Sequence, residues 1–185
     1  MSSQLQSETE LENARNIALK KLGQSIFNFS LAEQWLKYLV TVSDVTTTGA
    51  HIDSKTAKKI DKTQKMMLGQ LIGDILEKWH PDNLSKVNQI QDLFDIRIAF
   101  SFGIEMSLDD YHMVKGSLEA MVDDRNYLVH QFSKNYTLST VENCHAASIY
   151  LDNLREKHLA CMRHLQEVVK TYLELLKKLQ QEFSE

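Results

Sequence analysis

The sequence predicts a mostly α fold: an antiparallel bundle of four to five long helices with one small β element. Three observations carry this. Glycine (six) and proline (one) are scarce in 185 residues, so the chain has few turns and little to break a helix. Long stretches repeat apolar residues every three or four positions, the period of a helix buried on one side. Residues 95–106 instead alternate with period two, the mark of a strand. At 43% hydrophobic and 25% charged, residues 1–185 have the make-up of a single helical domain with enough apolar material for a core.

From Leu11, the positions Ala14, Ala18, Leu22, Phe29, Ala32, Leu36 and Leu39 fall at helical spacing and predict one long helix, or two in line. Residues 43–65 open with turn-forming residues and become lysine-rich. A loop there is expected to re-enter a helix running to Trp79, where His80-Pro81 stops it. Within that helix Gly69 and Gly73, four apart, would let another backbone approach closely. In "DIRIAFSFGIEM", Ile96, Ile98, Phe100, Phe102, Ile104 and Met106 alternate with the other residues. No hairpin turn lies in or beside this strand, so its partner would be a piece of the preceding loop or its own copy across a dimer axis. Ser107 with Asp110, and Ser139 with Glu142, are capping signals for helices over about 107–134 and 140–183. In the last helix, positions from Cys144 to Leu179 keep a strict three-four seam.

A net charge of −4 and a pI near 6.0 give no global reason to bind nucleic acid or an anionic membrane; such binding needs a local basic patch. Lys55, Lys58, Lys59, Lys62 and Lys65 form the strongest one. It would steer RNA phosphates, although a solvated lysine face is the more ordinary reading. Cys144 and Cys161 are too few for a disulfide framework, and the N-terminal residues lack the basic and apolar regions of a signal peptide, so a cytoplasmic location is expected. No apolar run approaches the roughly 20 residues of a membrane span, and no membrane association is expected. His158, Cys161 and His164 invite a metal reading, but the first two belong to the helical seam and about 9 Å of helix rise separates the histidines. A core histidine and a buried thiol are expected there, with no metal and no other cofactor. Glycine-rich phosphate loops, H-E-x-x-H and nucleophile-elbow patterns are absent from the sequence.

The anomaly is Arg125. The stripe Tyr111, Val114, Leu118, Met121, Arg125, Leu128 and Phe132 is apolar except at its middle. A guanidinium there must meet a carboxylate, a solvent-filled groove or a bound anion, because an unpaired buried charge costs several kcal/mol. Glu33 is a candidate partner for a structural ion pair. His130, read alone, is a surface or capping histidine. It lies about 140° around an ideal helix from Arg125. The two act on one substrate only if the helix bends or another chain completes the site.

The run "RNYLVH", residues 125–130, sits near the C-terminal end of the third long helix, after a long first helix containing "FNFSLAEQWLKYLV" and before a long final helix. In this it resembles the signature of the HEPN superfamily. The resemblance implies a HEPN-like fold and a metal-independent endoribonuclease, a toxin or phage-defence effector, working as a homodimer whose two motifs face one cleft. By it, His130 acts as general base or acid on the ribose 2′-hydroxyl or the leaving oxygen. Arg125 holds the scissile phosphate and stabilises its developing charge, and Asn126 orients the substrate or the catalytic pair. In-line attack by the 2′-hydroxyl leaves a cyclic phosphate end. In the toxin branch silenced by a nucleotidyltransferase partner, a tyrosine stands two residues after the histidine. Phe132 stands there here, and Tyr136 is no positional match, which sets this chain apart from that form of control; an antitoxin or inhibitor protein remains an implied partner. The alternative is a non-catalytic HEPN-like dimeric module that binds nucleotide, RNA or a protein partner. It predicts a buried Arg125 with a carboxylate partner and a His130 turned away from any shared cleft. A structural coiled-coil adaptor is favoured by the final helix alone and leaves Arg125 unexplained.

Overall fold

A computed structural model describes residues 2–48, 51–52, 54–83, 97–101, 104 and 106–182. In chain order they form α1 (Ser2–Val42), β1 (Asp44–Thr48), β2 (His51–Ile52), α2 (Ser54–Gln64), α3 (Leu68–Trp79), a 3-10 turn (Pro81–Asn83), β3 (Arg97–Ser101), α4 (Leu108–His130), α5 (Phe132–Asn135) and α6 (Val141–Glu182). The fold is mostly helical. Among the described residues no helix is long and apolar enough to cross a membrane. The chain divides into two compact units, Met1–Leu31 with Ala120–Arg163, and Ala32–Glu119 with His164–Glu185.

The first unit is a three-helix bundle. Its buried side comes from Ala14, Ala18 and Phe29 of α1, Met121 and Leu128 of α4, and the α6 seam at Cys144, Ala147, Leu151 and Leu154. Polar contacts fix the helix directions. Arg15 Nε donates to Leu138 O at 3.0 Å, Lys21 Nζ meets Asp152 Oδ2 at 2.5 Å, and the Phe29 ring lies 5.5 Å from that of His158. Contacts thus advance along α1 and α6 together, so these two helices run the same way. α4 opposes α6, since Asp124 meets His158 while Tyr127 meets Tyr150. α4 thus runs against both of its partners, and the three helices follow an up-down-up order. The N-cap of α6 is Thr140, whose Oγ1 accepts from Asn143 N at 3.2 Å; Ser139, the expected cap, pairs with Thr137 instead. Gln131 separates α4 from the single turn α5.

In the second unit Leu36 and Leu39 of α1, Leu71, Ile75 and Trp79 of α3 and Leu165 of α6 are each 1% exposed or less. Lys78 Nζ donates to Val40 O and to the buried Ser43 Oγ, setting a cation where the last carbonyls of α1 gather negative partial charge. Residues 44–48, part of the segment read as loop, form a strand: β1 pairs antiparallel with β2 and, from Asp44↔Ser101 to Thr48↔Arg97, with β3. The sheet order is β2-β1-β3. Val45 to Thr48 are all β-branched and suit a pleated backbone, a preference that outweighs their turn-like neighbours. Residues 95, 96, 102, 103 and 105 of the expected strand lie outside the described residues. The helix expected to run unbroken to Trp79 is two. After Gln64 the chain turns at residues 65–67, and Met67 N donates to Gln70 Oε1 at 3.0 Å to start α3. Gly69 and Gly73 are exposed, and a Cβ at Gly73 would meet nothing within 4 Å. Gly73 therefore serves no close helix approach. Ser107 caps α4, its Oγ accepting from Asp110 N at 3.1 Å and pairing with Asp110 Oδ2 at 2.6 Å.

Candidate functional site

Arg125, Asn126 and His130 lie in the first unit, on the last two turns of α4. The helix does not break between them: Gln131 N still donates to Tyr127 O at 2.8 Å, so the i to i−4 ladder runs past His130. Every other member of the Arg125 stripe is buried or half-buried. Arg125 is itself half-buried, and its Nη1 donates to Asn126 Oδ1 at 3.2 Å. Among the described residues no carboxylate forms an ion pair with it. Asn126 stands four residues before His130, hence on the same face of α4. The hydrogen bond thereby draws the guanidinium around the helix toward the face that carries His130. Asp123, Asn126 and His130 are all exposed and fall within about 60° of one another around the axis.

The residue before the motif does the anchoring. Asp124 Oδ2 accepts from Lys157 Nζ at 2.6 Å and from His158 Nε2 at 2.7 Å, which ties α4 to α6 beside Arg125. An ionised carboxylate only accepts, so the His158 proton sits on Nε2. Burial lowers the His158 pKa, against the raising pull of its hydrogen bond and charge interaction with Asp124; Lys157 adds to the lowering. The seam thus favours a neutral imidazole that donates one hydrogen bond. It is the satisfied core histidine that the spacing predicts. Burial pushes the Cys161 thiol up to about 11, and His164 is exposed. Among the described residues no group of three metal-ligating side chains comes together.

Around the same end of α4 lie Tyr127, Tyr136 and Tyr150, all half-buried, with buried Phe132. Asn135 Nδ2 donates to Tyr127 Oη at 2.7 Å. The sequence reading singled out neither this ring cluster nor Asp124. The sequence signal for Asp124 is His158, a polar residue within the α6 seam that needs an acceptor on a facing helix.

The other candidates belong to the second unit. Glu33 Oε1 accepts from Lys37 Nζ at 2.9 Å, one turn along its own helix. Lys58, Lys59 and Lys62 lie on α2, with Lys58 and Lys62 exposed and Lys59 half-buried; Lys65, just beyond, pairs with Asp61 at 2.6 Å. The side chain of Lys55 lies outside the described residues. Comparison of the chain with protein-family models, with curated proteins and with solved structures finds no match in any of the three.

Proposed function

We propose that this chain is a HEPN-type endoribonuclease that cleaves RNA by 2′-hydroxyl attack, without a metal ion, in a cleft between two copies. One observation carries the reading: Arg125, in an otherwise apolar seam, points to a neighbouring asparagine rather than a carboxylate among the described residues, on a helix that ends in an exposed histidine. A guanidinium held this way is open to a phosphate. Arg125 binds the scissile phosphate and offsets the charge that builds on its oxygens. His130 removes the 2′-hydroxyl proton or delivers one to the leaving 5′-oxygen. Asn126 holds the guanidinium on the histidine's side of the helix. Arg125 and His130 are about 7.5 Å apart along an unbroken helix, so the second proton-transfer group comes from a second copy, whose His130 faces the same phosphate.

The fold in this proposal is the HEPN-like bundle with its small β element, and the setting is a cytoplasmic toxin or phage-defence effector with RNA as substrate. The exposed Lys58 and Lys62 supply local positive charge for RNA in a chain of net charge −4. The test is a defined RNA oligonucleotide. Cleavage should leave 2′,3′-cyclic phosphate and 5′-hydroxyl ends, and a 2′-deoxy substitution at the cut position should stop it. Products with 5′-phosphate ends would overturn the mechanism, and binding without cutting would make the chain the non-catalytic module.

A further inference from the structure

The ring cluster beside the motif is not used by the chemistry above. Tyr127 stands inside "RNYLVH", and its ring lies 5.4 Å from that of Tyr150. Tyr150 lies 5.6 Å from Tyr136 at an interplanar angle of 32°, and Phe132 closes the group at 4.9 Å from Tyr136 and 6.2 Å from Tyr150. Phe132 is covered, at 3% exposed. The three tyrosines remain partly open to solvent. Asn135 fixes the Tyr127 hydroxyl. Burial first, then the Asp124 charge, pushes the Tyr150 phenol up to about 12. Asp124 is itself paired with Lys157, which lessens the repulsion that a polyanion would meet next to Arg125.

We infer that Tyr127, Tyr136 and Tyr150 form a stacking platform for an unpaired base of single-stranded RNA on the His130 side of α4, where Tyr127 stands one turn before His130. The inference rests on the ribonuclease reading and narrows its substrate. Every base has a π face, so such a platform accepts any sequence. Within a duplex each face is already stacked, and the base is not free to reach the rings. Selection for single strands follows from this.

The experiment uses the full chain carrying His130→Ala, so that RNA stays intact, with a labelled oligoadenylate of about twelve nucleotides and its duplex with oligouridylate. Fluorescence anisotropy should show the single strand bound at least about tenfold tighter than the duplex. Tyr136→Leu, which keeps the apolar packing but removes the ring, should weaken single-strand binding about tenfold and leave the duplex unchanged. Tyr136→Trp should keep the affinity. Circular dichroism melting checks that each variant folds. Equal affinity for single strand and duplex, or a Tyr136→Leu chain that binds as tightly as its parent, overturns the platform. Failure of the ribonuclease reading appears separately, as wild-type chain that leaves the same single strand uncut.

Discussion

Replacing Asp124 by alanine should destabilise the first unit by about 2 kcal/mol, and the structure sets that figure. The Asp124 side chain is 19% exposed and that of His158 only 7%. Removing the carboxylate strands a nearly buried Nε2–H without an acceptor, which costs roughly 1–3 kcal/mol. Lys157 is 53% exposed, and its half of the interaction is worth roughly 0.5 kcal/mol or less after solvent screening. For a chain of this size, the sum lowers Tm by about 4–8 °C. Urea denaturation followed by circular dichroism at neutral pH measures it in Asp124→Ala, Lys157→Ala, His158→Leu and the double variant Asp124→Ala/His158→Leu. The double variant should cost less than the two single losses together, by about 1–2 kcal/mol, because neither polar group is then left alone. An Asp124→Ala chain within about 0.5 kcal/mol of wild type, or strictly additive costs, would refute the assignment of Asp124 as the anchor between α4 and α6.

Three further outcomes follow from the same site. Burial holds His158 below its usual 6.5 despite Asp124, so the unfolded chain binds that proton more readily. Its contribution to stability is complete above about pH 6.5 and is lost as pH falls from there through the lower folded value. His158→Leu should flatten that part of the pH–stability curve, whereas a wild-type curve with the same slope as the variant would argue against it. Raising the Cys161 thiol from 9.0 to about 11 cuts its thiolate fraction at pH 8 about 100-fold. Native protein should therefore react slowly with iodoacetamide at that position, and labelling as fast as in denatured chain would contradict the burial. Asn126→Ala frees the Arg125 guanidinium from the histidine's face and should lower RNA cleavage by about tenfold, less than the roughly 100-fold or greater loss expected for His130→Ala. Equal losses would give Asn126 a direct part in the chemistry instead.

The features legible in the sequence are those with a local cause. The seams of α1 and α6, the Ser107 and Asp110 cap and the charge misplaced at Arg125 all come from residues within a turn or two of one another. What the sequence hid depends on distant or competing partners. Asp124 acquires its role from His158, 34 residues on, and no local pattern marks it. β1 was obscured because threonines beside aspartate and glycine fit a turn as well as a strand, and pairing with residues 97–101 decides between them. Nothing at residues 65–67 signals the break between α2 and α3, since neither glycine nor proline stands there. Thr140 and Ser139 are equally good caps by residue type, and only the backbone geometry selects the later one. Each tyrosine of the ring cluster reads in isolation as an ordinary core residue, and only the meeting of α4, α5 and α6 gathers them. The half-buried Arg125 finds the adjacent Asn126 on its own helix, a partner that the need for a carboxylate, anion or groove does not single out.

The central claim is that Arg125 and His130 cut RNA, and cleavage of a total-RNA pool in excess EDTA tests it most directly. Wild type, Arg125→Ala and His130→Ala are compared after melting curves have shown that all three fold alike. Cleavage by wild type with both variants silent is the predicted result; the same background from all three proteins would contradict it.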